Sequence, residues 1–274
     1  MSQYVDVGRH GAAWSWGQPG RTLTRRRSGA VISVAAAAAA LAAVLVVPWI
    51  SMNAAIAARP ALAWLDPDDT FGFITAHHAA MALLAIGLML PAARPLREWG
   101  LARGDWRTAA RALALFVPIV AVLAFGFDAL PFIVSGAAPA VPYALTPVNL
   151  VGTLAFQWLF VGVAEELLFR GLLLGMLARA VERQIRVGRF RVSAAVILSA
   201  VIFGLAHGII YQRAFMLPFR FDPNWSQIAW AVVLGVFCGS LRERTGSLVG
   251  PIIGHNVANG LVLSMTYLAV LITH

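Results

Sequence analysis

The chain has 274 residues, 60% of them hydrophobic and only 12% charged, with a mean hydropathy of +0.78. Ordinary soluble domains carry roughly 25% charged residues, so this composition excludes a water-soluble enzyme and leaves a polytopic membrane protein. The net charge of +9 comes from 21 arginines without a single lysine. They cluster in loops on one side of the expected membrane, so orientation accounts for them and no nucleic-acid partner is implied.

In chain order, residues 1–28 are polar and end in Arg25-Arg26-Arg27, which reads as a cytoplasmic basic tail. Gly29 to Met52 is the first expected span and contains the alanine run Ala35 to Ala40. Its apolar length exceeds the roughly 7–15 residues of a signal-peptide core, so a retained helix is expected; a signal cleaved near Ala61-Leu62-Ala63 is the alternative. A loop with Asp66, Asp68, Asp69 and Arg59 leads to the second span, Phe71 to Ala93. Arg94, Arg97, Arg103, Arg107 and Arg111 precede the third, Leu113 to Ser135, which should bend near Pro118 and Pro131. An uncharged connection, Gly136 to Pro147, leads into a long fourth helix from about Val148 to Ala180.

Arg179, Arg183, Arg186, Arg189 and Arg191 then come before the fifth span, Val192 to Ile210. Trp225 to Leu241 is the sixth, Arg242-Glu243-Arg244 a tight turn, and Ser247 to Ile272 the seventh. Arginine alternates loop by loop, which places the N-terminus in the cytoplasm and the C-terminus outside. In a bacterial host the membrane would be the plasma (inner) membrane. Neither strand alternation nor a repeat period is visible. The expected fold class is therefore all-α, a polytopic transmembrane helix bundle of about seven spans. It divides into the tail 1–28, N-terminal transmembrane helices 29–146 and a C-terminal transmembrane core 147–274. The lone cysteine, Cys238, can form no internal disulfide and is expected to pack.

Within the fourth helix stands Glu165-Glu166-Leu167-Leu168-Phe169-Arg170-Gly171. Charged groups in hydrocarbon cost a few kcal/mol or more each unless paired or facing a protected cavity. Glu166 and Arg170 are four residues apart and share a helix face, so they can pair; Glu165 points about 100° away, towards another helix. Two later intramembrane histidines, His207 and His255, are candidate partners. At a rise of about 1.5 Å per residue, Glu166, His207 and His255 fall in a similar layer of three helices. Asn259 lies one turn beyond His255 on the same face, and Phe203 one turn before His207. Buried glutamate with neutral histidine suits general acid–base chemistry, and Asn with His could donate hydrogen bonds to an oxyanion. Taken singly, the ion pair, the histidines and Phe203 read as packing; taken jointly they read as a site. Adjacent His77 and His78, in the second span, point to different helix faces and are expected to pack or to hydrogen-bond near the outer side.

Glu165-Glu166-x-x-x-Arg170, Phe203-x-x-x-His207 and His255-x-x-x-Asn259 resemble the three core motifs of the CAAX-protease and bacteriocin-processing family of intramembrane proteases, which includes type II prenyl endopeptidases. The similarity runs from about Pro147 to Tyr267. It implies an endopeptidase acting on a membrane-anchored protein or peptide in the lipid bilayer, with Glu165 and His207 activating water. It implies further that Glu166 and Arg170 shape the site and that His255 and Asn259 stabilise the oxyanion. The family is also described as metalloproteases, so Glu165, His207 and His255 could instead hold zinc; no His-Glu-x-x-His helix is present. The rival readings are a proton-coupled transporter and a non-catalytic membrane scaffold or immunity protein of the same fold.

Overall fold

The computed structural model describes residues 30–92, 94–188, 190–211 and 219–273; the expected basic tail, residues 1–28, lies outside them. Among the described residues seven helical rods appear where seven spans were expected. They are α1 (Ala30–Leu62), α2 (Gly72–Met89), α3 (106–135), α4 (147–180), α5 (Ala194–Ala206), α6 (Trp225–Thr245) and α7 (Val249–Thr273). Among the described residues four stretches are long and apolar enough to cross a membrane: Ala38–Leu62, Gly72–Met89, Trp106–Ser135 and Val249–Thr273. The fold is an all-α membrane bundle.

Local chemistry sets the starts of four rods. Asp105, Thr146, Ser193 and Asn224 each accept a hydrogen bond from the backbone N–H three residues on, satisfying donors that a helix start leaves free. Asp105 begins α3 at Trp106, seven residues before the expected Leu113, because the cap outweighs the charges that follow it. α1 runs to Leu62, past the expected Met52, with Pro48 and Pro60 inside it. Gly136 and Gly246, at φ of 69° and 70°, close α3 and α6 in the left-handed conformation.

Among the described residues three wide (π) turns interrupt the rods. One, Phe125–Ala129 in α3, stands just before Pro131, which lacks an N–H and crowds the carbonyl four residues earlier. The other two, Phe156–Phe160 and Leu167–Leu173, lie in α4 on either side of the glutamate pair. Neighbouring helices take up the backbone groups around them. Gly162 N–H donates to Asn256 Oδ1 of α7 at 2.7 Å, and Ser199 Oγ of α5 donates to the Phe169 carbonyl at 3.2 Å. A Cβ on residue 162 would stand 2.7 Å from that Oδ1, so this crossing tolerates only glycine.

Two short antiparallel hairpins depart from the all-helical expectation. β1 (Gln184–Val187) pairs with β2 (Phe190–Ser193) in the arginine-rich loop before α5. β3 (Ile209–Tyr211) pairs with β4 (Phe219–Phe221) after it. Strands of three or four residues are too short for their alternation to show in sequence. The second hairpin also takes over the end of the expected fifth span, so α5 stops at Ala206 instead of Ile210. With 13 residues it rises only about 20 Å, less than a hydrocarbon core of roughly 30 Å.

α1 packs on α2, α5 on α6, and α7 against α3, α4 and α6. The main core lies where α1, α2, α4 and α5 meet, around Met89, Leu168, Leu173, Leu174 and Phe203. Charge is turned inward: Glu166, Arg170 and His255 are buried, whereas Leu83, Phe127, Val134 and Leu271 are 71–79% exposed on the perimeter. That is the inverse of a soluble protein and the arrangement a bilayer requires.

The α1–α2 connection is pinned by Asp66, only 4% exposed. Its Oδ1 accepts from Thr70 N and Oγ1, both at 3.0 Å, and its Oδ2 from Phe71 N at 2.9 Å and Gly72 N at 2.6 Å. Burial pushes this carboxyl upward, but the donors, chiefly backbone N–H groups, outweigh it and hold it below the ordinary aspartate value. A depressed carboxylate stabilises the fold above its unfolded-state value, and the stabilisation disappears as pH falls through its folded value. Asp66→Asn is expected to lower unfolding stability at neutral pH by about 1.5–3 kcal/mol. The gap to wild type should close on acidification below the ordinary aspartate range. Thermal unfolding in detergent at pH 7 and pH 3 checks both, and equal stability at pH 7 sinks the idea.

Candidate active site

Glu166 is fully buried, and its Oε1 accepts from Arg170 Nη1 at 2.9 Å and His255 Nδ1 at 2.8 Å. The four-residue spacing thus pairs Glu166 with Arg170, and α7 adds a histidine to the pair. Arg170 is equally buried, with its guanidinium carbon 4.1 Å from the centre of the Phe203 ring. Phe203 does more than fill the core: its ring meets His207 edge-on at 4.7 Å and His255 at 5.8 Å. It holds two imidazoles and a cation by its edge and face.

Glu165 leaves α4 on another face and is 15% exposed. Its Oε1 lies 3.3 Å from His78 Nε2, and its Oε2 lies 3.5 Å from His255 Nε2. His78 is the residue that sequence reasoning missed. Adjacent histidines do point to different faces, but each face finds its own partner. His77 Nδ1 bonds Ser51 Oγ at 3.0 Å, while His78 crosses to the glutamate. The signal was an ionisable residue in a span; nothing local indicated which helix it would meet.

The three histidines around Phe203 and Glu165 share one feature. Nδ1 of His78 faces the Ile74 carbonyl at 2.9 Å, Nδ1 of His207 the Phe203 carbonyl at 2.9 Å, and Nδ1 of His255 Glu166. A carbonyl only accepts, and so does an ionised carboxylate, so each Nδ1 carries a hydrogen. This tautomer is assigned from the partners. In a neutral ring each Nε2 is then a bare lone pair. Two such lone pairs cannot both face an ionised carboxylate favourably. Glu165 and its two imidazoles must hold a proton between them.

His207, at the end of α5, is half-buried and within electrostatic range of Glu165, but forms no bond to it. Asn259 is half-buried one turn beyond His255 and has no hydrogen-bond partner among the described residues. The structure therefore brings Glu165, Glu166, Arg170 and His255 into direct contact, sets His207 beside them across Phe203, and leaves Asn259 with free donors. Asn256, between the two α7 residues, was also missed. Its role in anchoring the wide turn of α4 depends on a partner 94 residues away.

Zinc takes its ligands at about 2.0–2.2 Å. Among the described residues no three His, Cys, Asp or Glu side chains are grouped to hold a metal ion. Of the suggested set, Glu165 and His255 are in contact, and His207 stands apart with Nδ1 on its own helix. These residues do not fit a three-ligand zinc site as arranged.

Residues 147–261 match the family model described as type II CAAX prenyl endopeptidase Rce1-like. The segment is Rce1-like. It spans α4 to the middle of α7 and holds all seven residues of the three motifs. CAAX prenyl protease 2 of Arabidopsis thaliana is 29% identical over 110 residues, 38% of this chain and 33% of that relative. The chain thus aligns with about a third of the length of the curated relative it matches. No solved structure matches.

Proposed function

We propose that the protein is an intramembrane endopeptidase that hydrolyses a peptide bond of a membrane-associated protein or peptide. The observation that carries this reading is Glu165, a partly exposed carboxylate held between two histidine Nε2 atoms inside an apolar bundle. The Rce1-like match over the same residues supports it.

In this mechanism Glu165, assisted by the bare Nε2 of His207, takes a proton from water as the oxygen attacks the scissile carbonyl. Once Glu165 holds the proton from water, the proton it shared with the two imidazoles sits on His255 Nε2, which donates with the free amide of Asn259 to the developing oxyanion. Collapse of the tetrahedral intermediate breaks the C–N bond, and the proton held at Glu165 passes to the leaving amine. Glu166, neutralised by Arg170, fixes the His255 ring so that Nε2 faces the reacting centre. No step runs through a metal. A substrate carrying a prenylated C-terminal cysteine motif is the version suggested by the family description, and an unmodified membrane peptide is the alternative the same site would accept.

The test is a reporter peptide anchored in vesicles containing the purified protein, with and without a prenyl group, its new termini read by mass spectrometry. Asn259→Ala is expected to slow turnover by about 10²–10³-fold with little change in KM. A wild-type rate in that variant removes Asn259 from the oxyanion role. Wild type yielding no termini that Glu165→Gln lacks removes the endopeptidase reading itself.

A further inference from the structure

Outside the Rce1-like segment, α2 contributes one ionisable side chain to the proposed reacting carboxylate. His78 is buried, 7% exposed, and 87 residues away from Glu165 in sequence. Its ring is fixed on three sides. Nδ1–H donates to the Ile74 carbonyl one turn back, the Phe156 ring stands edge-on at 4.9 Å, and the His77 ring does so at 5.1 Å. The remaining ring nitrogen, Nε2, points at Glu165 Oε1 at 3.3 Å. Phe156 opens the wide turn of α4, so the element that carries the glutamates also braces the histidine.

We infer that His78 is a positioning residue for Glu165: an Nε2–H shared with the carboxylate fixes its rotamer and keeps Oε1 occupied, leaving Oε2 to take the proton from water. The inference rests on the endopeptidase reading and adds to it a residue from the N-terminal helices. The contact with Glu165 is not needed to anchor His78, whose ring is already tied to its own helix. It is needed by Glu165, because Glu166 and Arg170 are committed to each other and His255 reaches Oε2 only at 3.5 Å. A carboxylate with one long contact would sample several rotamers, and misplacing a reacting group by about 1 Å can cost 10²-fold in rate.

Two substitutions separate the two ends of the imidazole. Asparagine places its amide near the Nδ1 position and can keep the bond to Ile74, but does not reach Glu165. Glutamine places its amide near the Nε2 position and keeps the donor to Oε1. In the vesicle assay His78→Asn is expected to lose about 10–10²-fold in kcat with KM nearly unchanged, and His78→Gln to recover most of that loss. A purely structural role would give the opposite order or equal losses, either of which overturns the inference. So would failure of both variants to hold the wild-type fold in thermal unfolding, since His78 would then be a structural residue. The parent reading fails differently, with wild type no more active than Glu165→Gln.

Discussion

Glu165→Gln is expected to lower kcat by about 10²–10⁴-fold while leaving KM, fold and expression close to wild type. Glutamine keeps the shape of the side chain and can still accept from a histidine Nε2–H through its carbonyl oxygen. What it loses is the basicity that removes a proton from water. The proton shared among Glu165, His78 and His255 has no counterpart in the amide, so the histidines alone must supply the base. Single-turnover cleavage of the anchored reporter separates the chemical step from substrate entry. Unchanged cleavage in this variant would remove Glu165 from the chemistry, and with it the assignment of the site.

The second large effect concerns stability. Arg170 is fully buried, bonded to Glu166 and seated on Phe203, and its Nη2 would lie 2.9 Å from a Cβ on Gly235 of α6. Replacing it by alanine strands the Glu166 carboxylate with His255 as its remaining donor. Breaking one partner of a buried ion pair costs about 3–5 kcal/mol, whereas exchanging both for neutral groups of similar volume costs much less. Arg170→Ala should therefore unfold at a clearly lower temperature in detergent, and the double variant Glu166→Gln with Arg170→Met should recover most of the loss. Equal unfolding temperatures for wild type and Arg170→Ala would mean that the pair contributes no net stability.

These two residues also show how much the sequence could disclose. Glu166–Arg170 is a local pair, fixed by helical periodicity, and the seven rods are likewise set by long apolar runs and charged loops. What came from elsewhere was hidden. Glu165 needed a partner, and both His207 and His255 were candidates; the contacts are made by His255 and by His78, which a local argument about helix faces had set aside. His207 approaches but bonds its own helix, because α5 ends there and the chain turns into a hairpin. Asn256 lies between two motif residues, and only the crossing of α7 over α4 brings it to Gly162. Which side chain meets which across the bundle depends on rod tilt and on backbone widening, and neither leaves a period in the sequence.

The wide turns of α4 have an angular consequence. Each inserts about one residue into a helical turn, which advances everything beyond it by about 100° relative to an uninterrupted helix. With one such turn before the glutamate pair and one after it, α4 consists of three segments of different phase. Its N-terminal end can face the α1–α2 connection, where Asn149 bonds Thr70 and Asp68. Its middle can face α2 with Glu165 and α7 with Glu166, and its C-terminal end can bury leucines against α1. A single helical wheel drawn through residues 147–180 would superimpose these faces and blur all three. The helix behaves as a jointed shaft, and the carboxylates occupy the short link between its joints.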